Sequence, residues 1–302
     1  MTGPVVEVDG LVKRYGALAA VDGVSFAAAA GSVFALLGPN GAGKTTTVEA
    51  CEGFRTPSAG SVRVLGLDPV RDRAALTPRV GVMPQSGGVY PGASPLEMLR
   101  LYASFYADPV SPASLLERLG LPARTPYRRL SGGQQQRLSL ALAVIGRPVV
   151  VFLDEPTAGL DPQARHATWD IVRELRSDGA CVVLTTHAMD EAEALADEVV
   201  IVDRGRVVAA GTVAALTGGG EALRFRAAPG LDVAALSASV GRAVAEPAAG
   251  SYVVPGPVDP ALLAAVTAWC AERGVLAADV RAGSGRTLED VFLDVTGREL
   301  RS

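Results

Sequence analysis

Apolar residues in this chain follow three rhythms. Short unbroken runs, Val33-Phe34-Ala35-Leu36-Leu37, Val149-Val150-Val151-Phe152-Leu153 and Cys181-Val182-Val183-Leu184, are bounded by polar or glycine-bearing sequence. They are too short for helices and predict strands buried on both faces of a mostly parallel sheet. Pieces at 5–8, 23–26 and 62–65 predict an antiparallel edge sheet beside that core. From about 86 to 129 the spacing becomes helical: Ser94-Pro95-Leu96-Glu97 is a capping-box start, followed by Met98, Leu101 and Phe105 on one predicted face.

After Gly211 the pattern changes again, and Thr217-Gly218-Gly219-Gly220 reads as a linker. Beyond it, a strand at 222–226, a helix through Val233, Leu236 and Val240, a strand at 252–254, a helix capped by Asp259 with Leu262, Val266 and Cys270, and a strand at Val280 give a β-α-β-β-α-β order, a ferredoxin-like plait. Thr287-Leu288-Glu289-Asp290 opens a last helix with Leu288, Val291, Phe292 and Val295 on one face. The expected division is 1–217, containing a helical subdomain over about 86–135, and a small α+β domain over 221–302.

The chemistry begins after the first buried run. Gly38-Pro39-Asn40-Gly41-Ala42-Gly43-Lys44-Thr45 fits the phosphate-loop pattern G-x-x-x-x-G-K-[ST], between a strand and a helix. Its glycines let backbone N–H groups curl around phosphate oxygens, Lys44 puts its charge on the β/γ-phosphates, and the Thr45 hydroxyl is a ligand for Mg²⁺. Lys13 and Lys44 are the only lysines, so surface solubility is not what calls for one here. Asp154 and Glu155 close the second buried run, where ligand crevices form in parallel sheets. There Asp154 reaches Mg²⁺ and Glu155 orients and partly deprotonates an attacking water, although an acidic pair after a strand is also an ordinary helix N-cap or turn. Leu130-Ser131-Gly132-Gly133-Gln134 opens a helix over 135–145 and offers a second anion site. Standing alone, such a segment is an N-cap or a linker.

With Ser131, Gly132, Gly133 and Gln134 in that order, the sequence resembles the ATP-binding cassette family, whose signature is L-S-G-G-Q, and the resemblance runs from about residue 5 to 212. It implies an α/β nucleotide-binding domain of the P-loop class and a head-to-tail homodimer with ATP between the subunits, each signature closing over the partner's phosphate loop. By the same resemblance Tyr15 stacks on adenine, Thr46 joins Lys44 and Thr45, Gln85 touches Mg²⁺ and the attacking water, Asp161 lies in a loop crossing to the partner subunit, and His187 is the switch histidine at the γ-phosphate. Taken singly, Tyr15 is a packing residue, Gln85 a solvated loop residue, Asp161 a helix start before Pro162, and His187 a core histidine. The other histidine, His166, matches nothing and reads as a surface residue. The tail 288–298 resembles daunorubicin-resistance-type exporter ATPases.

Composition narrows the partners. A formal charge of −4 and a pI near 5.4 provide no basic footprint for nucleic acid. No run approaches a membrane span, since residues 138–153 are broken by Arg147 and Pro148. No apolar signal region follows Met1, which reads as a cytosolic protein, and Cys51, Cys181 and Cys270 read as buried thiols. The resulting expectation is the ATPase subunit of an exporter of a drug, antibiotic or lipid, held on the inner face of the cell membrane by a separate permease that docks on the helical subdomain. The alternative is a soluble ATPase of the same family acting on nucleic acid or the ribosome; an uninterrupted single cassette and the acidic pI count against it. The plait carries no cluster suggestive of chemistry and reads as a structural or dimer-stabilising appendage.

Overall fold

The computed structural model describes residues 3–85, 87–218, 221–284 and 287–296. The expectations that fall on Ser86, Gly219, Gly220 and the tail beyond Thr296 lie outside the described residues. Two compact units appear, one running to Thr212 and the other spanning Val213–Asp294.

In the first unit the strands are β1 (Val6–Tyr15), β2 (Leu18–Ala28), β3 (Val33–Leu37), β4 (Ala59–Val64), β5 (Val80–Met83), β6 (Val150–Asp154), β7 (Cys181–Thr186), β8 (Glu198–Asp203) and β9 (Arg206–Thr212). The helices are α1 (Lys44–Cys51), α2 (Arg73–Leu76), α3 (Pro95–Ala103), α4 (Pro112–Arg118), α5 (Gly132–Val144), α6 (Pro162–Ser177) and α7 (Met189–Leu195). Six strands form one sheet in the order β5-β6-β7-β3-β8-β9, parallel except for β9. Every residue of β3, β6 and β7 is buried, as their unbroken apolar runs require. Neighbouring β3, β6 and β7 bring the phosphate loop, the acidic pair and His187 to one edge, because all three segments follow the C-terminal ends of adjacent parallel strands. The antiparallel sheet β2-β1-β4 is also present, its strands longer than the short pieces that predicted them.

The helical region differs in one informative way. Met98 is buried beside Leu99, whereas Leu101 and Phe105 are exposed, and α3 ends at Ala103. The face turned inward therefore runs through Pro95, Met98, Leu99 and Tyr102, and the expected stripe through Leu101 and Phe105 faces outward. The Ser94–Glu97 capping box forms as expected, with the Ser94 N–H donating to the Glu97 carboxylate at 2.8 Å.

The second unit holds α8 (Val213–Thr217), β10 (Glu221–Arg226), α9 (Val233–Val240), β11 (Ala245–Ala248), β12 (Ser251–Pro255), α10 (Pro260–Glu272), β13 (Ala278–Ser284) and, as far as Asp294, α11 (Leu288–Thr296). Its sheet order, β11-β12-β10-β13 with every neighbour antiparallel, is that of a ferredoxin-like plait. Phe225 stacks on Tyr252 at 5.2 Å in a core shared with Leu236, Val266 and Trp269. Leu288, Val291 and Phe292 are buried as expected, but Val295 is exposed. Thr217 is buried at the end of a short helix and is not part of a linker. Cys51, Cys181 and Cys270 are free and buried.

Candidate functional site

The loop between β3 and α1 is shaped by contacts that only glycine permits. A Cβ on Gly43, where φ is 104°, would stand 2.4 Å from the Ala20 carbonyl oxygen, and one on Gly38 would stand 2.2 Å from that of Val202. The loop is thereby pressed onto the strands behind it, with Ala42 buried, Pro39 half-buried and Asn40 and Gly41 exposed. No side chain caps the start of α1, so its first N–H groups remain available to an anion. Thr45 and Thr46 occupy that first turn, half-buried.

Lys44 is buried and its Nζ turns back on its own loop, donating to the Gly38 carbonyl at 2.7 Å and the Pro39 carbonyl at 3.3 Å. The same Nζ lies 3.3 Å from Glu155 Oε1. The other carboxylate oxygen of Glu155, Oε2, lies 2.7 Å from His187 Nδ1. One carboxylate thus joins the phosphate-loop lysine to the histidine that follows β7, whose side chain is 46% exposed.

The backbone holds Glu155 in a conformation that L-residues rarely adopt, with φ at 53°. Its N–H donates to the Thr185 carbonyl and to Thr185 Oγ1, both at 3.1 Å, and its carbonyl accepts from Gln136 Nε2 at 2.7 Å. Such strain survives only where surrounding bonds over-determine it. Thr185 also donates to the Asp154 carboxylate. Burial raises the Asp154 pKa above its usual value, opposed by hydrogen bonds from Thr185 and Thr45, raised further by Glu155 and lowered by Lys44. Two carboxylates therefore face a single lysine, beside the Thr45 hydroxyl. This surplus of hard oxygen donors suits a divalent cation.

Gln85 and Glu155 line one cleft of about 350 Å³, together with Gly132 and Gln136. The structure thus brings together Lys44, Thr45, Asp154, Glu155, His187 and Gln85. Among the described residues, the signature reaches this cleft through Gly132 and forms no hydrogen bond with Lys44, Thr45, Asp154 or Glu155. Ser131 and Gln134 form a capping box on α5, with Ser131 N–H to Gln134 Oε1 at 3.0 Å and Gln134 N–H to Ser131 Oγ at 3.2 Å. Because Ser131 caps the helix, α5 begins at Gly132, earlier than the helix expected from 135. Ser131 and Gly132 are exposed, and among the described residues no recorded hydrogen bond or ion pair links 131–134 to the phosphate loop. Asp161 is the N-cap of α6, accepting from the Ala164 N–H at 2.9 Å. Tyr15 ends β1 with its ring 43% exposed and the Lys13 ammonium 5.3 Å from the centroid. His166 is an exposed residue packed edge-on against Trp169 at 5.2 Å.

Three site residues escape motif reading: Gln136 and Thr185, which fix the Glu155 backbone, and Glu191. Glu191 is fully buried and accepts from Trp169 Nε1 at 3.3 Å. Burial holds its pKa above the usual carboxylate range, against hydrogen bonds from Thr186 and Thr157 and with Glu155 raising it further. A buried acid among threonines leaves no sequence signal of its own.

Residues 21–158 match the family model described as ABC transporter. The chain is 38% identical over its whole length, and 98% of the relative's, to "Daunorubicin resistance ATP-binding protein DrrA3" of Streptomyces coeruleorubidus. The chain belongs to the ABC transporter family. This ABC cassette is also 43% identical, over 69% of its length and 67% of the relative's, to "Nod factor export ATP-binding protein I" of Ralstonia nicotianae. A solved ATP-binding subunit of an ABC transporter, 30% identical, superposes with a TM-score of 0.65 over 71% of this chain and 92% of that one. The cassette is an ATP-binding subunit with the ATPase fold and catalytic class of exporter relatives. Among the described residues no helix is long and apolar enough to cross a membrane.

Proposed function

We propose that this cassette hydrolyses ATP as a head-to-tail homodimer and drives export of a drug, antibiotic or lipid through a separate membrane permease. One observation carries the reading: Glu155 is clamped between Lys44 and His187 beside Asp154, while among the described residues the signature at 131–134, with Ser131 and Gly132 exposed, makes no hydrogen bond or ion pair with the phosphate loop. A second copy, turned head to tail, supplies the phosphate loop it closes over.

Each residue then has a task. On ATP binding, Lys44 exchanges the Gly38 and Pro39 carbonyls for β/γ-phosphate oxygens, and the open start of α1 receives the same charge. Thr45, Asp154 and Gln85 would hold Mg²⁺, which would supply positive charge against the charge that develops on the phosphates. Glu155 orients the attacking water and accepts its proton, steadied by His187, and the partner's signature donates its Ser131 hydroxyl and N–H groups to the γ-phosphate. Tyr15 offers its exposed ring to adenine, and Asp161, the N-cap of α6, would lie in the loop that crosses to the partner subunit. The 221–302 domain acts as a stabilising appendage, so truncation after Thr217 leaves the nucleotide site formed.

The names of the relatives, daunorubicin resistance and Nod factor export, support an exporter. An acidic chain has little attraction of its own for anionic lipid, which supports a permease, rather than lipid, as what holds the cassette on the inner membrane face. Fractionating cells of the source organism tests this. Recovery with membranes that depends on a multi-span protein supports the reading; recovery in the soluble fraction, or with ribosomes or DNA, overturns it.

A further inference from the structure

In a head-to-tail dimer the two ends of one chain's chemistry serve different ATP molecules: Glu155 works on the ATP in its own phosphate loop, and the signature at 131–134 closes over the partner's. Within the chain the two are joined. Gln136 stands four residues after Gly132, one helical turn on, so both lie on the same face of α5. That face borders the cleft that Glu155 also lines, and there Gln136 Nε2 donates to the Glu155 carbonyl at 2.7 Å. The same carbonyl accepts from the Ala158 N–H at 3.2 Å, closing the turn behind Glu155. Arg137, the next residue, donates from Nε to the Gly133 carbonyl at 3.3 Å and from Nη1 to the Leu119 carbonyl at 2.6 Å, which braces the start of α5 as one piece.

Glu155 is a residue whose setting such a bond can change. Its φ of 53° is costly for an L-residue and holds only while surrounding groups enforce it. Thr185 enforces it from β7, where it stands in register with Asp154 of β6, so that contact moves with the sheet. Lys44 and His187 hold the carboxylate from loops at the same sheet edge. Among the described residues, Gln136 is the hydrogen-bond partner of Glu155 that lies on α5, the helix that the signature opens. We propose that Gln136 is a positioning residue through which the phosphate held by a chain's signature sets the backbone of the same chain's Glu155, so that closure over one ATP prepares hydrolysis of the other. The inference rests on the head-to-tail reading and adds to it a route between the two sites. The phosphate fixes the start of α5 in place, Gln136 extends that restraint to the Glu155 carbonyl, and the carboxylate stays aimed at the attacking water. Without the phosphate, the start of α5 is held only within its own chain, and Glu155 loses that restraint.

The test uses full-length chains in mixed dimers, assembled with ATP, isolated through two different affinity tags and started by adding Mg²⁺. One chain carries Glu155→Gln, so hydrolysis takes place only in the other chain's phosphate loop, closed by the signature of the Glu155→Gln chain. Ser131→Asn is then placed in the hydrolysing chain. It keeps a good N-cap on α5 but loses the hydroxyl that meets the phosphate in the inactive site, so it touches nothing at the site that turns over. It should nevertheless slow single-turnover hydrolysis about fivefold or more. Gln136→Met in the hydrolysing chain should by itself slow the step about tenfold to a hundredfold, and adding Ser131→Asn to that chain should then slow it no further. Gln136→Glu, of the same shape and without a donor, replaces Gln136→Met if the latter does not fold well enough to bind ATP. Hydrolysis indifferent to Ser131→Asn overturns the proposal. Equal slowing by Ser131→Asn with and without Gln136→Met overturns it too, assigning the effect to a weaker dimer. Glu155→Gln chains that bind ATP and do not pair contradict the head-to-tail reading itself, and this inference falls with it.

Discussion

Glu155 Oε2 lies 2.7 Å from His187 Nδ1 while its Oε1 lies 3.3 Å from Lys44 Nζ, so a single carboxylate at the end of β6 joins the phosphate loop after β3 to the histidine after the neighbouring β7. Its φ of 53° aims the side chain between them, and bonds to Thr185 and Gln136 hold that backbone in place. Removing any member of this arrangement has a distinct consequence.

Glu155→Gln keeps ATP binding and slows hydrolysis about 10²–10⁴-fold, because the amide still hydrogen-bonds a water but accepts no proton. Single-turnover hydrolysis with prebound ATP separates the two effects. Unchanged turnover removes Glu155 from its role.

Lys44→Ala abolishes useful ATP binding, since the loop loses the ammonium that lies beside Glu155 and would face the phosphates. Titration with a fluorescent ATP analogue checks this. Near-normal affinity together with normal turnover contradicts the phosphate-loop assignment.

Glu52 makes stability depend on pH with a definite sign. Burial, with Asp154 and Glu49 adding to it, pushes its folded pKa up to about 8, above the ordinary 4.5, so between those values the folded protein holds a proton that the unfolded chain has released. Stability from this group is therefore greatest below pH 4.5 and is lost as pH rises toward 8. The nucleotide-free Glu52→Gln variant should have a flatter profile, with a higher denaturation midpoint at pH 9 than wild type and little difference at pH 5. Parallel profiles from urea titrations across that range contradict the assignment.

Glu191→Ala strands the buried Trp169 indole N–H, costing about 1–3 kcal/mol. Glu191→Gln keeps acceptor capacity and costs less. Comparing the two by chemical denaturation distinguishes a hydrogen-bonding role from mere volume, which predicts equal losses scaled to size.

The nucleotide site was legible because phosphate chemistry constrains adjacent residues. Gly43 and Lys44 must stand together on one tight turn, and Ser131 and Gln134 must meet across one helix start. Thr185, Gln136 and Glu191 were not legible, because each acts on the Glu155 region from an element distant in sequence. The buried runs identified β3, β6 and β7 outright, since a strand covered on both faces leaves no polar position. Leu101 and Phe105 misled for the opposite reason: they keep helical spacing but belong to the outer face, and periodicity does not tell a core stripe from an exposed one. The hairpin strand β11 escaped because Ala245–Ala248 is four residues long, contains Pro247 and has no buried residue.

The central claim is that ATP closes two copies through a signature acting across the interface, and light scattering on the Glu155→Gln protein tests it most directly. With Mg-ATP its mass should double, and adding Ser131→Arg to the same chain should keep it monomeric while ATP still binds. A Glu155→Gln protein that binds ATP yet keeps the monomer mass at high concentration, or a dimer indifferent to Ser131→Arg, would contradict the account.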